Sequence, residues 1–226
     1  MFTGFSERTI DFLWNVRFHN DRQWLAENKQ AYREELLLPL QELAKEVYEK
    51  MREKFPEEGL SCHISRIYRD ARRCHGQPPL KEELWFSLFA GAYRDTARPE
   101  FYFSVAPEGY YIGMGFWSAR PADMARFRQN LLQSPQTFSK QAKAFAEQKE
   151  FVLRGEDYVR YTGEPSELLK PWFTKKRLYL QAGYDYDARC FSQELVPALL
   201  EAFTFLMPYY RYFMHLCCQG EPHEKL

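Results

Sequence analysis

The sequence predicts an α+β fold in which helical N-terminal and C-terminal segments pack against a mostly antiparallel sheet. Three observations support this prediction. Apolar residues recur at helical spacing towards both ends of the chain, aromatic and β-branched stretches typical of strands lie between them, and a short turn joins two of those stretches as a hairpin. Because the strands are bracketed by helices and do not alternate with them, the pattern favours an antiparallel sheet over repeated βαβ units.

The N-terminal part of the chain is predicted to be helical. Ser6 can cap a first helix, and Asn20, followed three residues later by Gln23, can cap a second in a capping-box arrangement. Pro39 lies inside the apolar periodicity of the second helix. Since proline removes a backbone donor and clashes with the preceding turn, we expect two segments or a kink near residues 36–38.

Strands are predicted in the middle of the chain. The periodicity changes at Leu60, and alternation continues to Asp70 as in an extended strand. Two clearer strands, Phe101–Ala106 and Tyr110–Trp117, flank a turn that contains proline and glycine, which is a hairpin signal. Further strands are predicted at Leu84–Phe89 and Arg177–Gln181.

Helices resume after the hairpin. Pro121 and Pro135 are placed where first-turn prolines are tolerated, and Ser134 is available as a cap. The apolar stretch Leu195–Leu216 is interrupted by prolines and charged residues, so we expect a pair of buried helices and not a membrane span. Because no linker rich in Pro, Gly or Ser divides the chain, we predict a single domain over residues 1–226.

Composition excludes two classes of protein. The chain has 31 Lys+Arg against 31 Asp+Glu, so its formal net charge is zero, and 17% of it is aromatic. A disordered chain would have few aromatic residues and a large net charge, and a general nucleic-acid binder would have a basic surplus. We therefore expect no general nucleic-acid partner and interpret the aromatic residues around Trp85–Phe89 and Phe101–Phe103 as core, not as a base-stacking surface.

Cysteine usage and the N-terminus indicate a cytoplasmic protein. The chain has five cysteines, an odd number, scattered along the sequence, which favours reduced thiols over a disulfide framework. Residues 1–10 contain polar and charged side chains where a secretory signal would be apolar. We expect no membrane partner, and the oligomeric state is open.

Arginines are concentrated in one segment, residues 66–73. Arg66, Arg69, Arg72 and a fourth arginine surround Asp70, and Lys81 follows shortly after. Guanidinium groups recognise phosphate or carboxylate through paired hydrogen bonds, and strand alternation would place Arg66, Asp70 and Arg72 on one face, where Asp70 could orient its neighbours. The alternative is an exposed strand whose charges are solvated or paired elsewhere.

These residues carry a family resemblance. The pattern Arg66-x-x-Arg69-Asp70-x-Arg72, with Lys81 after it, resembles the signature of a bacterial family of uncharacterised proteins, domain-of-unknown-function family 2461. Further segments that resemble the family are Phe2–Phe5, Asn20–Trp24, Asn28–Tyr32, Phe103–Phe116 and Gly183–Asp185. The family has no established activity, so the resemblance implies neither a reaction nor a cofactor.

The chain also departs from the family pattern. The family usually has Phe, Lys and Tyr at the positions that are Arg73, Gln77 and Leu80 here. If the family site uses that lysine and phenol, this chain has a different ligand or has lost an activity.

Other motifs carry weaker signals. Cys62-His63 and Cys74-His75 contain zinc-ligand residue types, but their spacing fits no known finger, so we interpret them as ordinary thiols and loop histidines and expect no metal and no cofactor. Tyr184 and Tyr186, near Gly183, either cover the sheet edge or contribute to a ligand pocket, and we include Tyr184 among the candidate ligand contacts. The chain contains no nucleophile elbow, Walker loop or dinucleotide-binding glycine motif.

Three functions are therefore compatible with the sequence. The first is a module that binds a small anionic ligand through Arg66, Arg69, Asp70, Arg72 and Lys81. In the second, an enzyme acting on a phosphorylated or acyl substrate, the same arginines would stabilise developing negative charge, although no base or nucleophile is identified. In the third, aromatic surface residues mediate protein–protein interaction.

Overall fold

The computed structural model describes residues 1–70, 72, 76–91 and 97–218. The α-helices are α1 Glu7–His19, α2 Arg22–Glu27, α3 Lys29–Ala31, α4 Leu38–Lys54, α5 Pro121–Gln133, α6 Gln136–Glu147, α7 Lys170–Phe173 and α8 Leu195–Cys218. The strands are β1 Leu60–Ile64, β2 Leu84–Ala90, β3 Pro99–Ala106, β4 Gly109–Phe116, β5 Val152–Arg154 and β6 Tyr179–Tyr184. They form a six-stranded antiparallel sheet in the order β1-β2-β3-β4-β6-β5, which confirms the predicted α+β class.

The caps of the first two helices differ in part from the prediction. Ser6 precedes α1 as its N-cap, as expected. The prediction that Asn20 caps α2 was wrong by one residue, because Oδ1 of Asp21 accepts hydrogen bonds from the backbone N–H groups of Gln23 (2.6 Å) and Trp24 (3.0 Å). Asn20 ends α1 instead, with a positive φ of 23°, and its side chain is left to bind elsewhere.

The predicted disturbance before Pro39 is a π-helical turn, Tyr32–Leu37, that leads directly into α4. In an α-helix the carbonyl of Glu35 would accept from the N–H of residue 39, and proline has none. The hydroxyl of Thr9, which is fully buried, donates to that carbonyl at 2.6 Å. A side chain of α1 thus satisfies the acceptor that Pro39 cannot, and the helix changes type without breaking.

The predicted hairpin is confirmed, and its strands are β3 and β4. The strand predicted at Leu84–Phe89 is also confirmed as β2, whereas the strand predicted at Arg177–Gln181 begins later, at Tyr179. Gly115 lies in β4, where an added Cβ would collide with the main chain of Tyr179, so this glycine permits close strand packing.

The prediction of a helix pair at the C-terminus was wrong, since α8 is a single helix. Pro197 falls near its start, where a missing N–H is tolerated, and Pro208 lies inside it. Phe203, Tyr210 and Phe213 are fully buried along its length, which stabilises the uninterrupted helix. Within the described residues, no helix combines the length and apolar character needed to cross a membrane.

Contacts divide the chain into two compact units. The first comprises Met1–Gly91, Tyr102–Ile112 and Gly183–Ala202. Its core contains Phe103, whose ring stacks on Phe5 (5.9 Å between centroids) and on Phe86 (5.7 Å).

The second unit comprises Ala92–Phe101, Gly113–Ala182 and Phe203–Leu226. In its core, Phe101 stacks on Tyr210 at 4.6 Å, and Phe138 meets Trp172 edge-on at 4.8 Å. Phe86, Phe101 and Phe103 are each fully buried, which confirms the interpretation of these aromatic residues as core. The single-domain assignment stays a prediction.

Candidate functional site

The arginine-rich segment continues the β1–β2 hairpin beyond its last regular pair, Ile64 and Phe86. The backbone N–H of Ser65 donates to the carbonyl of Trp85 (2.8 Å). Further along, the backbone N–H of Lys81 donates to the carbonyl of Ile67 (2.7 Å), and the backbone N–H of Arg69 donates to the carbonyl of Pro79 (2.8 Å). These bonds bring residues 66–70 beside residues 79–81, an arrangement that we call the cationic ladder.

The cationic ladder is more irregular than the predicted strand. Beyond Ile64 its antiparallel pairing is an isolated bridge between Tyr68 and Leu80, so the expectation of a strand reaching Asp70 was too long. Alternation nevertheless persists, because Ser65 and Ile67 are buried whereas Arg66, Tyr68 and Asp70 are exposed. Arg69 shares the inward side and is half-buried.

Asn20 holds the second strand of the ladder in place. Its Oδ1 accepts from the backbone N–H of Leu80 (2.9 Å), and its Nδ2 donates to the carbonyl of the same residue (3.3 Å). Nε of Arg69 donates to that carbonyl as well (3.1 Å). The backbone next to Lys81 is therefore fixed from two sides, and the remaining donors of Arg69 have no acceptor in the described part of the chain.

Lys81 is a half-buried cation beside like charge. Its Nζ lies 4.2 Å from the centre of the Trp85 ring, a cation–π contact. Burial lowers the pKa of Lys81 from 10.5, and the nearby guanidinium of Arg69 lowers it further. Within the described residues no carboxylate forms an ion pair with Lys81, so its charge is partly desolvated and lacks a counterion.

His63 connects Arg66 to the same cluster. Burial lowers the pKa of His63 from 6.5, and the positive charges of Lys81 and Arg66 lower it further, so the imidazole is mainly neutral at pH 7. The charges that act on His63 and Lys81 therefore include those of Arg66, Arg69 and Lys81 itself.

Glu82, the acid next to Lys81 in the sequence, forms an ion pair with Arg17. Nε of Arg17 binds Glu82 at 2.5 Å, and its terminal nitrogens bind Glu108 in the β3–β4 turn. The hydrogen bond from Arg17 lowers the pKa of the Glu108 carboxyl. Sequence analysis did not identify Arg17, and only the fold brings Glu82 and Glu108 to it.

Asp70 orients Arg72, as predicted. Its two carboxylate oxygens accept from Nε (3.2 Å) and Nη2 (3.3 Å) of Arg72, and one also accepts from the Arg72 backbone N–H (3.1 Å). The Arg72 side chain is 89% exposed. An exposed pair of this kind contributes at most about 1 kcal/mol to stability, so Arg72 is available at the rim of the ladder.

Tyr184 has aromatic and cationic neighbours of its own. Its ring stacks on Tyr110 with centroids 4.9 Å apart, and the Arg189 guanidinium lies 4.7 Å from its centre. Asp187 accepts from Tyr110 (3.1 Å) and Arg189 (2.9 Å) and so holds both residues. These contacts favour the alternative in which the tyrosine covers the sheet, and its role as a ligand contact stays a prediction.

The cysteines of the described chain are free thiols, namely Cys62, Cys190, Cys217 and Cys218. Burial raises the pKa of Cys62 to about 11, which disfavours a reactive thiolate. Among the described residues no three His, Cys, Asp or Glu side chains gather as a metal site would require. Cys74-His75 and Arg73 lie outside those residues.

The protein is thus of the α+β class, with a β1–β2 hairpin that continues into the cationic ladder. Residues 8–212 match the family described as conserved hypothetical protein (DUF2461). The chain belongs to this family, as its resemblance had indicated. No curated protein matches the chain.

Proposed function

We propose that this protein binds a small anionic ligand, bearing phosphate or carboxylate, at the cationic ladder. The observation that carries the proposal is the half-buried ammonium of Lys81, which lies over Trp85 beside Arg69. A partly desolvated cation among like charges is costly, and an anion placed against it would offset that cost.

Each cation has a separate part in this proposal. Lys81 supplies a point charge, and the terminal nitrogens of Arg69 supply donors whose direction is set by the bond from its Nε to Leu80. Arg66 and Arg72 are exposed and add donors at the rim. Asp70 keeps Arg72 in place. The neutral protein thus recognises an anion locally, without a broad basic surface.

A specific observation favours an enzyme as the second candidate. His63 is half-buried and mainly neutral at pH 7, and it lies near Lys81 and Arg66. A neutral imidazole can accept a proton while adjacent cations stabilise negative charge on a transferred phosphoryl or acyl group. The free thiols of the described chain support the proposed cytoplasmic setting for either function.

The experiment that separates these functions measures binding and turnover together. Purified protein is incubated with inorganic phosphate, pyrophosphate, nucleotides and small phosphoesters, and both the melting temperature and product formation are followed. The test variants are Arg66→Ala and Arg69→Ala, and Arg160→Ala is the control because Arg160 is an exposed arginine of the second unit. We expect anions to raise the melting temperature of the native protein and the control more than that of Arg66→Ala.

The possible outcomes distinguish a binding module, an enzyme and a purely structural role of the ladder. Stabilisation without product supports a binding module, and turnover that Arg66→Ala and Arg69→Ala both abolish supports the enzyme. The Arg66→Ala variant is decisive because its side chain forms no hydrogen bond within the described residues, whereas Arg69 also holds Leu80. If no anion stabilises the native protein and Arg69→Ala merely unfolds it, the ladder is structural and the proposal is wrong.

A further inference from the structure

A cleft lies in the first unit, between α1 and the segment from Trp24 to Glu35. The cleft has a volume of about 330 Å³ and is lined by side chains of Asp11, Asn15, Trp24, Asn28 and Glu35, together with Phe12 and Arg8. This volume is at the lower end of the range of small-molecule sites, about 300–1,000 Å³. None of these residues belongs to the cationic ladder.

The charge of the cleft is opposite to that of the ladder. Nη1 of Arg8 pairs with Glu35 at 3.6 Å, so these two charges offset each other. Asp11 has no ion-pair partner within the described residues. The cleft therefore keeps one unbalanced negative charge, in contrast to the unbalanced positive charge at Lys81.

The hydrogen-bonding groups that remain in the cleft are mainly acceptors. Nδ2 of Asn15 donates one of its two N–H groups to the carbonyl of Asp11 (2.8 Å), and Nδ2 of Asn28 donates one to the carbonyl of Trp24 (2.9 Å). Each amide keeps its second N–H donor, and the two amide oxygens and the two carboxylate oxygens of Asp11 are left to accept. A ligand that satisfies these groups must carry several donors.

Aromatic surface completes the cleft. The rings of Trp24 and Phe12 are 5.6 Å apart and tilted by 35°, and both line it. The Trp24 ring also stacks on His19 (5.3 Å between centroids, 11° between planes), so part of its face is covered and it contributes mainly apolar surface. Carboxylate, amide oxygens and this apolar surface together are suited to an ammonium group on a short apolar chain.

The π-helical turn helps to form the cleft. Glu35 belongs to this turn, and Thr9 of α1 holds its carbonyl at 2.6 Å. This bond fixes the turn against the same helix that carries Asp11 and Asn15. Short π-helical segments recur at functional sites because they change the direction of side chains along a helix.

We propose that the cleft binds a small organic cation with a primary amine. Asp11 supplies the counter-charge, Asn15 and Asn28 accept from the ammonium, and Trp24 packs against its methylene groups. The amine is a free small molecule or the side chain of a lysine, and both sources present the same chemistry to the cleft.

The test follows the indole N–H signals of the full-length protein by NMR, with Trp24 assigned from the Trp24→Phe variant. The probes are n-butylammonium, the uncharged n-butanol and the peptide N-acetyl-Gly-Lys-Gly-amide. We expect n-butylammonium to shift the Trp24 signal in a saturable manner and n-butanol to shift it much less. Asp11→Asn should weaken binding by about fivefold or more, whereas Glu42→Gln, which removes an exposed carboxylate elsewhere in the unit, should leave it unchanged.

Either of two results would overturn this proposal. The first is an equal response to n-butylammonium and n-butanol, and the second is an unchanged affinity in Asp11→Asn. Tighter binding of the peptide than of n-butylammonium would identify a lysine side chain as the source, and weaker binding would identify a free amine. Because no ladder residue is involved, the result is independent of anion binding at Lys81.

Discussion

The cations around Asp123 and those around Lys81 have contrasting surroundings. Asp123 is only 2% exposed and accepts from Nε of Arg120 (2.8 Å) and Nη1 of Arg126 (3.1 Å). Arg126 also donates to the carbonyl of Leu216 (2.7 Å). Lys81, by contrast, lies beside Arg69 with no carboxylate pair in the described chain.

This difference separates a structural use of cations from a functional one. Two guanidinium groups around a buried carboxylate are paired and hydrogen-bonded within the protein, so the fold depends on keeping the pair intact and little is left for a ligand. A cation without a carboxylate partner, such as Lys81, gains less from the fold through its charge and is available to an external anion. Substitutions in the two regions should therefore have opposite consequences for stability and binding.

The largest effect on stability is expected from Asp123→Asn. The substitution removes the charge and replaces one of the two accepting oxygens by an NH2 group, which faces a guanidinium as a second donor. We therefore expect the free energy of unfolding to fall by about 2–4 kcal/mol. Urea denaturation measures the change. The matched control is Glu156→Gln, which breaks an exposed pair with Arg177 (2.9 Å) and should cost less than about 1 kcal/mol. Equal losses in the two variants would contradict the comparison.

A smaller loss of stability is expected from substitution of Thr9, because its partner, the Glu35 carbonyl, is uncharged. Thr9→Val keeps the shape of the side chain but removes the hydroxyl that satisfies the Glu35 carbonyl. The unpaired acceptor should lower the free energy of unfolding by about 1–3 kcal/mol. Thr9→Ser retains the hydroxyl and should lose less, and denaturation curves of the two variants provide the test. A larger loss in Thr9→Ser would show that methyl packing, and not the hydrogen bond, dominates.

Substitution of Lys81 is expected to raise the free energy of unfolding, not to lower it. Its pKa is lowered in the folded protein from 10.5, so the unfolded chain binds this proton more readily and the charge opposes folding at neutral pH. In buffer without polyvalent anions, Lys81→Met should therefore raise the free energy of unfolding slightly, by less than about 1 kcal/mol. Because native Lys81 loses its proton earlier, the gain should shrink as the pH rises towards 10.5.

Denaturation curves of the native protein and Lys81→Met across this alkaline range measure that trend. Lys176→Met is the control, since Lys176 is exposed and belongs to the other unit. A clear loss of stability in Lys81→Met, or a gain that grows with pH, would show that the ammonium is stabilised within the protein.

Local patterns in the sequence predicted most of the fold. The β3–β4 hairpin depends on a short turn between two apolar runs, so its strands were predicted to within two residues at each end. The errors arose where contacts between residues distant in sequence determine the local structure. Asn20 was predicted as a cap, but it binds Leu80, a partner far along the chain. The three-residue strand β5 is defined by its pairing with β6 and carries no signal of its own.

The candidate site was predictable only in composition. Arginine density identified the segment from Arg66 to Arg72, and alternation anticipated which side of it is exposed. Nothing in the sequence indicated that Arg17 engages Glu82, because this contact depends on how α1 packs in its unit. The contact of Lys81 with Trp85 joins residues only four positions apart, but no strand or helix periodicity that includes both was recognised. The Asp123 network, in contrast, has arginines three residues before and after the acid, a spacing that sequence analysis could have recognised.

The most direct test of the central claim is calorimetric titration of inorganic phosphate and pyrophosphate into the native protein, Lys81→Met and Lys176→Met at low ionic strength. The account predicts binding to the native protein that weakens with added salt. It also predicts a loss of at least about tenfold, or about 1.4 kcal/mol, in Lys81→Met, and no loss in Lys176→Met. Lys81→Met that binds both anions as tightly as the native protein would contradict it.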